Sequence, residues 1–106
     1  MANVRIDVPK TAKRGAIIEI KTLAAHAMET GFRRTNFGTP IPRDIITTFV
    51  CTYNGVEVFR AELYPSISAN PFIQFSTVAT ESGTLEFKWS GDNGFAVSET
   101  ARIAVT

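Results

Sequence analysis

The stretch FVCTYNGVEVFRAEL, Phe49 to Leu63, decides the fold. Phe49, Cys51 and Tyr53 alternate with Val50 and Thr52, a period of two that marks a β-strand with two different faces. Asn54-Gly55 follows, and both residues accept positive φ, so the pair predicts a type I′ turn. Val56 to Leu63 is then the returning strand of a hairpin. Upstream, Ile45 joins the Phe49 face, Thr48 joins Thr52 on the other, and the first strand of the hairpin runs from Asp44 to Tyr53.

The same period recurs in both directions. Val4, Ile6 and Val8 alternate with Arg5 and Asp7. PKTAKRG, Pro9 to Gly15, reads as a polar turn. Ala16 to Leu23 reads as a strand with Ile18 and Ile20 inward and Glu19 and Lys21 outward. Beyond the hairpin, Pro65 to Pro71 is a break, and Phe72 to Ala79 is strongly β-forming. Glu81-Ser82-Gly83 turns the chain. Leu85, Phe87 and Trp89 alternate with Glu86 and Lys88, Gly91 to Gly94 turns again, and Phe95 to Val105 closes the sequence with Ala101, Ile103 and Val105 inward. This amounts to about seven strands and no convincing helix. The expected fold is all-β: one antiparallel β-sandwich of immunoglobulin type spanning residues 1–106, without the cysteine pair that marks antibody domains.

Composition narrows the function classes. The chain has 106 residues, with 11 Lys plus Arg against 10 Asp plus Glu. A domain of this size buries roughly 65% of its unfolded surface, enough for a core without metal or disulfide. No basic stripe interleaved with aromatics is present, which argues against nucleic-acid binding. No apolar run reaches the length of a membrane span. The N-terminal MANVRIDVPKTAKRG has no apolar signal region. There is one cysteine, Cys51, and one histidine, His26. Together these features alone point to a cytosolic protein without metal or other cofactor.

Two stretches stand out as candidate sites. Ala24 to Pro42 is a connection longer than the ~12–15 residues usual in small domains, and such loops are often functional. It contains HAMETGFRR, His26 to Arg34. Glu29 has Arg33 and Arg34 within pairing reach, and Arg43 lies in the same loop system. A guanidinium is a rigid fork suited to oxyanions, so His26, Met28, Glu29, Arg33, Arg34 and Arg43 form a candidate partner or anion contact. His26 has no second histidine or cysteine at ligand spacing, so it reads as a loop anchor. Cys51, mid-strand among apolar neighbours, reads as core. The other stretch is Asn70, Pro71, Phe72, Ile73 and Phe75. Phe72 and Phe75 fall on opposite faces of one strand, with Ile73 on the Phe75 face. A strand apolar on both faces suggests a partner subunit.

METGFRR with IPRDII downstream, then FVCTYNGVEVFRAEL, SANPFIQFSTVATESGTLEFKW and DNGF together resemble the SoxZ family over about residues 3 to 106. The resemblance implies a non-catalytic subunit of the SoxYZ sulfur carrier of bacterial thiosulfate oxidation. It implies a SoxY-like partner whose C-terminal cysteine, on a glycine-rich arm, carries the sulfur intermediates. It also implies transient contacts with other Sox enzymes, no catalytic residue, and a periplasmic location reached by co-export with the signal-bearing partner. The sequence ends in ETARIAVT, without a glycine-flanked cysteine, which fits the companion. Cys51, being mid-strand, cannot swing. An immunoglobulin-like structural or adhesion module, and a small enzyme using His26 and Cys51, are the competing expectations.

Overall fold

Alternation is complete in the strand Ile17–Ala24, where Ile18, Ile20, Thr22 and Ala24 are buried and every residue between them is exposed. The computed structural model describes residues 4–106, so the first three residues of the sequence-based domain lie outside the described residues. The strands are β1 (Val4–Asp7), β2 (Thr11–Ala12), β3 (Ile17–Ala24), β4 (Ile46–Tyr53), β5 (Val56–Glu62), β6 (Phe72–Val78), β7 (Gly83–Gly91) and β8 (Ala96–Val105). They form a three-stranded sheet in the order β1-β3-β6 and a five-stranded sheet in the order β2-β8-β7-β4-β5. The fold is an immunoglobulin-like β-sandwich. A 3-10 turn, Asp92–Gly94, links β7 to β8.

The core lies between the sheets. Trp89, Phe49, Phe87, Ile20, Ile45, Ile46 and Leu85 are almost entirely buried. Phe49 sits at the centre of an aromatic cluster, with ring centroids 5.1 Å from Trp89, 6.1 Å from Phe59 and 6.1 Å from Phe75. Thr22 is the one buried polar residue of β3, and its hydroxyl donates to the Ile73 carbonyl at 3.1 Å, so it enters the core without an orphaned group. Asn54 and Gly55 have φ of 48° and 84°, the left-handed pair that the type I′ reading requires.

Three features depart from the sequence-based expectation. First, Pro9 to Gly15 is no simple turn. Its Thr11–Ala12 segment crosses to the second sheet and pairs with Ala104 and Val105. The pairing is parallel, an exception in an otherwise antiparallel fold, and it raises the strand count to eight. Second, β4 begins at Ile46, not Asp44. The register against β7 shifts between Ile46 and Thr48, and this irregularity lets Ile45 and Ile46 both turn inward. Third, the long connection is not shapeless. Glu29 and Asp44 exchange backbone hydrogen bonds of 2.8 Å each, Thr35 N–H donates to the Thr39 carbonyl at 2.8 Å, and Ile41 N–H donates to the Arg33 carbonyl at 2.9 Å. Residues 28–45 are thus a second, irregular hairpin whose residues 32–40 are all exposed. We refer to it as the arm.

The molecule measures 60 × 20 × 19 Å. Nine residues of strand span only about 30 Å, so its length comes from the sandwich together with what projects from its ends.

Candidate functional site

The arm is fastened at its base by side chains from three parts of the chain. His26 N–H donates to the Asn70 side-chain oxygen at 2.9 Å, and Asn70 N–H donates back to the His26 carbonyl at 2.7 Å. The His26 Nδ1 accepts from Met28 N–H at 2.9 Å, which places the ring proton of the neutral imidazole on Nε2, 3.7 Å from Asp44 Oδ1. The ring packs edge-on against Phe95 with centroids 4.8 Å apart. Met28 is buried in a left-handed conformation, φ 52°, and its sulfur accepts from Ile46 N–H at 3.3 Å. His26 is therefore a fastener with its Nδ1 lone pair already engaged.

The arginines are differently placed. Arg33 grips Glu29 with both limbs of its fork, Nε to Oε2 at 3.0 Å. Arg43 grips Asp92 in the same manner, with Nε to Oδ2 at 2.8 Å and Nη2 to Oδ1 at 2.9 Å. Asp92 also accepts from Ile45 N–H at 3.2 Å, so this pair ties the arm's returning limb to the 3-10 turn. Arg34 has no carboxylate partner among the described residues; its Nη1 donates to the Gly38 carbonyl at 2.8 Å. Gly31, at φ 87°, sits where the limbs cross, and a Cβ there would lie 2.9 Å from the Cβ of Arg43. Beyond this base, Phe32 and Phe37 stand 83% and 95% exposed.

The clasps titrate in acid. The Arg33 hydrogen bond holds the Glu29 carboxyl below its ordinary value, and the Arg43 hydrogen bond does the same for Asp92, each working against some desolvation. Carboxyls lowered by folding add stability above their unfolded values, and that contribution disappears as pH falls through the folded values. The arm's ion pairs are accordingly intact across the neutral range and open only as pH falls below the ordinary carboxylate range. Carboxyl-detected NMR titration should place the midpoints of Glu29 and Asp92 below those of ordinary Glu and Asp; ordinary midpoints would mean that the clasps do not form in solution.

Of the second stretch, Phe75 and Pro71 are buried within the chain, Ile73 is half-buried against the core, and Asn70 and Phe72 are exposed. Phe72 lies opposite Leu23 on the outer face of the three-stranded sheet. Asp92, Phe32 and Phe37 were not singled out from the sequence. Asp92 lies 49 residues from Arg43, so no local spacing links them. For the phenylalanines the signal was present: two large apolar residues in a segment with no periodic face to bury them.

Cys51 is fully buried, and burial pushes its thiol up to about 12. Native protein at pH 8 should resist iodoacetamide at Cys51 and react promptly once unfolded in urea; rapid native alkylation would show an open site. Among the described residues no group of three or more His, Cys, Asp or Glu is placed to hold a metal ion.

The family model for "Sulphur oxidation protein SoxZ" matches residues 4–102. The chain belongs to the SoxZ family. A SoxZ-family chain is a non-catalytic sulfur-carrier subunit that pairs with a SoxY-like subunit. No curated protein matches the sequence. Among solved structures, superoxide reductase (neelaredoxin) from Ignicoccus hospitalis aligns with a TM-score of 0.76 at 16% identity, covering 97% of this chain and 80% of that one. The sulfur carrier protein SoxY from Chlorobium limicola f thiosulfatophilum aligns at 0.67 and 12% identity, covering 97% and 78%. The CARDB domain of a Pyrococcus furiosus protein aligns at 0.58 and 14% identity, covering 99% and 94%. Identities this low establish a shared sandwich fold and nothing of shared chemistry.

Proposed function

We propose that this chain is the stiff half of a SoxYZ-type carrier, with the SoxY-like subunit seated along β6 and the arm left to meet the enzymes that process the partner's sulfur. The family match over residues 4–102 carries the pairing. The division of surfaces is supported by exposed phenylalanines at two places, Phe72 on β6 and Phe32 with Phe37 on the arm. Aromatic side chains offer large contact areas at low entropic cost and are common anchors of interfaces. The arm is pinned at its base by the His26–Asn70 and Arg43–Asp92 contacts, so its aromatics are presented on a rigid mount.

Of the three loop arginines, Arg33 and Arg43 are neutralised within the chain, which leaves Arg34 to attract an anionic group on the carrier arm or on an enzyme. The complex is assembled before export and works in the periplasm, brought there by the partner's signal. Fractionation of cells with and without that signal tests the location; unchanged distribution would remove it.

The arm is tested with Phe32→Ser and Phe37→Ser together, in complex with the SoxY-like subunit of the same organism. Complex formation is expected to persist, while thiosulfate-dependent turnover with the reconstituted Sox enzymes falls about tenfold or more. Arg34→Ala should lower the same rate several-fold at low ionic strength, with the deficit shrinking as salt is raised. Unchanged turnover in both variants would assign the arm no docking role.

A further inference from the structure

The edges of an open sheet present unpaired N–H and C=O groups to any extended chain, and proteins guard them with short strands, charges, bulges or covering segments. Three of the four edges here are guarded. β1 has four residues and carries Arg5 and Asp7. β5 carries Glu57, Arg60 and Glu62 and is irregular where its pairing with β4 slips between Cys51 and Thr52. β8 carries Glu99 and Arg102 and is capped at one end by β2.

β6 is unguarded. Its sequence, FIQFSTV, holds seven residues with no charge and no proline, paired to β3 through seven consecutive positions without a bulge. Among the described residues no strand lies on its other side. In an antiparallel pair, residues that bond to the neighbour alternate with residues whose N–H and C=O face away. The Pro71 carbonyl accepts from Ala24 N–H, and Ala79 bonds to Ala16 and Gly15, so the odd-numbered residues face β3. Phe72, Gln74, Ser76 and Val78 therefore turn their backbone groups to the open side, along a strand of about 23 Å. At the Val78 end of this edge lies a groove of about 390 Å³, lined by Val56, Val58, Thr77 and Val78 together with the polar Tyr53, Asn54, Thr80 and Glu81. Phe59 of β5 stacks on Phe75 of β6 with centroids 4.3 Å apart, which holds the two edges side by side across the sandwich.

We propose that the free edge of β6 is a strand-addition site. The SoxY-like subunit contributes an extended segment that hydrogen-bonds to Phe72, Gln74, Ser76 and Val78, with the side chains that pass its Val78 end set in the groove against Val56 and Val58. The proposal rests on the pairing and seating described above and specifies how the partner is held. SoxY from Chlorobium limicola f thiosulfatophilum has the same sandwich architecture, so a subunit of that kind has sheet edges to offer. Main-chain bonds supply the affinity in this recognition mode, and the groove supplies the choice of side chain.

Ser76→Pro isolates the edge. The Ser76 N–H faces away from β3, so proline removes no bond of the β3–β6 ladder and is tolerated at such a position. The free variant should fold, while its affinity for the SoxY-like subunit of the same organism, measured by titration calorimetry, falls about ten- to hundredfold. In the wild-type complex, NMR-detected hydrogen exchange should slow at Phe72, Gln74, Ser76 and Val78, whereas Ile73, Phe75 and Thr77 are slow in the free chain already. If Ser76→Pro does not fold, the exchange pattern decides alone. Unchanged affinity of the folded variant, or unchanged exchange at the four amides in a complex that does form, overturns strand addition and leaves the pairing intact. Protection of the same four amides in the isolated chain, with a dimer's mass, assigns the edge to a second copy and also overturns it. If the wild-type chains form no complex, the pairing itself falls, and the proposal with it.

Discussion

Phe49→Ala should lower the free energy of unfolding by about 3–5 kcal/mol, among the largest effects expected of a single truncation in this chain. Phe49 is 0% exposed, and Trp89, Phe59, Phe75 and Phe87 surround its ring. Those neighbours come from both sheets, so no one element can move in to fill the space. The cost therefore includes the lost transfer energy of the ring and most of the cavity it leaves. Domains of this size have about 5–15 kcal/mol in all, so the variant is expected to be marginal. Urea unfolding monitored by Trp89 fluorescence gives the number directly. A loss below about 1 kcal/mol would mean that the aromatic cluster collapses onto the gap, and that Phe49 is not the common contact between the sheets.

Phe72→Ser should separate stability from association. Phe72 is 59% exposed, and its cross-strand neighbour Leu23 is 37% exposed, so the free chain loses little when the ring is removed, within about 0.5 kcal/mol. If Phe72 anchors the SoxY-like subunit, binding weakens by about 2–4 kcal/mol, or roughly thirty- to thousandfold. The comparison is made by calorimetry on the wild-type and variant chains with the same partner. A variant that is equally stable and binds equally well would remove Phe72 from the interface, whatever holds the partner elsewhere.

Much of the sandwich is legible in the sequence, because its signals are local. β3 and β7 announce themselves by alternation, and the β4–β5 hairpin by Asn54-Gly55. Burial of Cys51 follows from its strand neighbours. The features that escape reading depend on residues far apart in the chain. β2 is two residues long and pairs with Ala104 and Val105, too short to show a period and too distant to show a turn. Ile45 and Ile46 both face inward because of a slip against β7, which nothing near them encodes. In the arm, the Glu29–Arg33 pair falls within the spacing considered from sequence, but the Arg43–Asp92 pair does not. That second pair engages Arg43, one of the arginines of the candidate anion contact, with a carboxylate of the same chain. The hairpin that shapes the arm is closed by main-chain bonds between Glu29 and Asp44 and around Thr35, positions where side-chain identity says little.

The axial ratio of the molecule is close to three, from extents of 60 × 20 × 19 Å. Its radius of gyration is 16.2 Å, against about 13 Å for a spherical domain of this length. Such a rod has more frictional drag than a globular standard of 11.6 kDa and should leave a sizing column early, mimicking a heavier species. A monomer judged by elution alone would thus be assigned too high a mass. Light scattering or sedimentation equilibrium, which weigh particles without regard to outline, are the proper gauges of how many chains travel together.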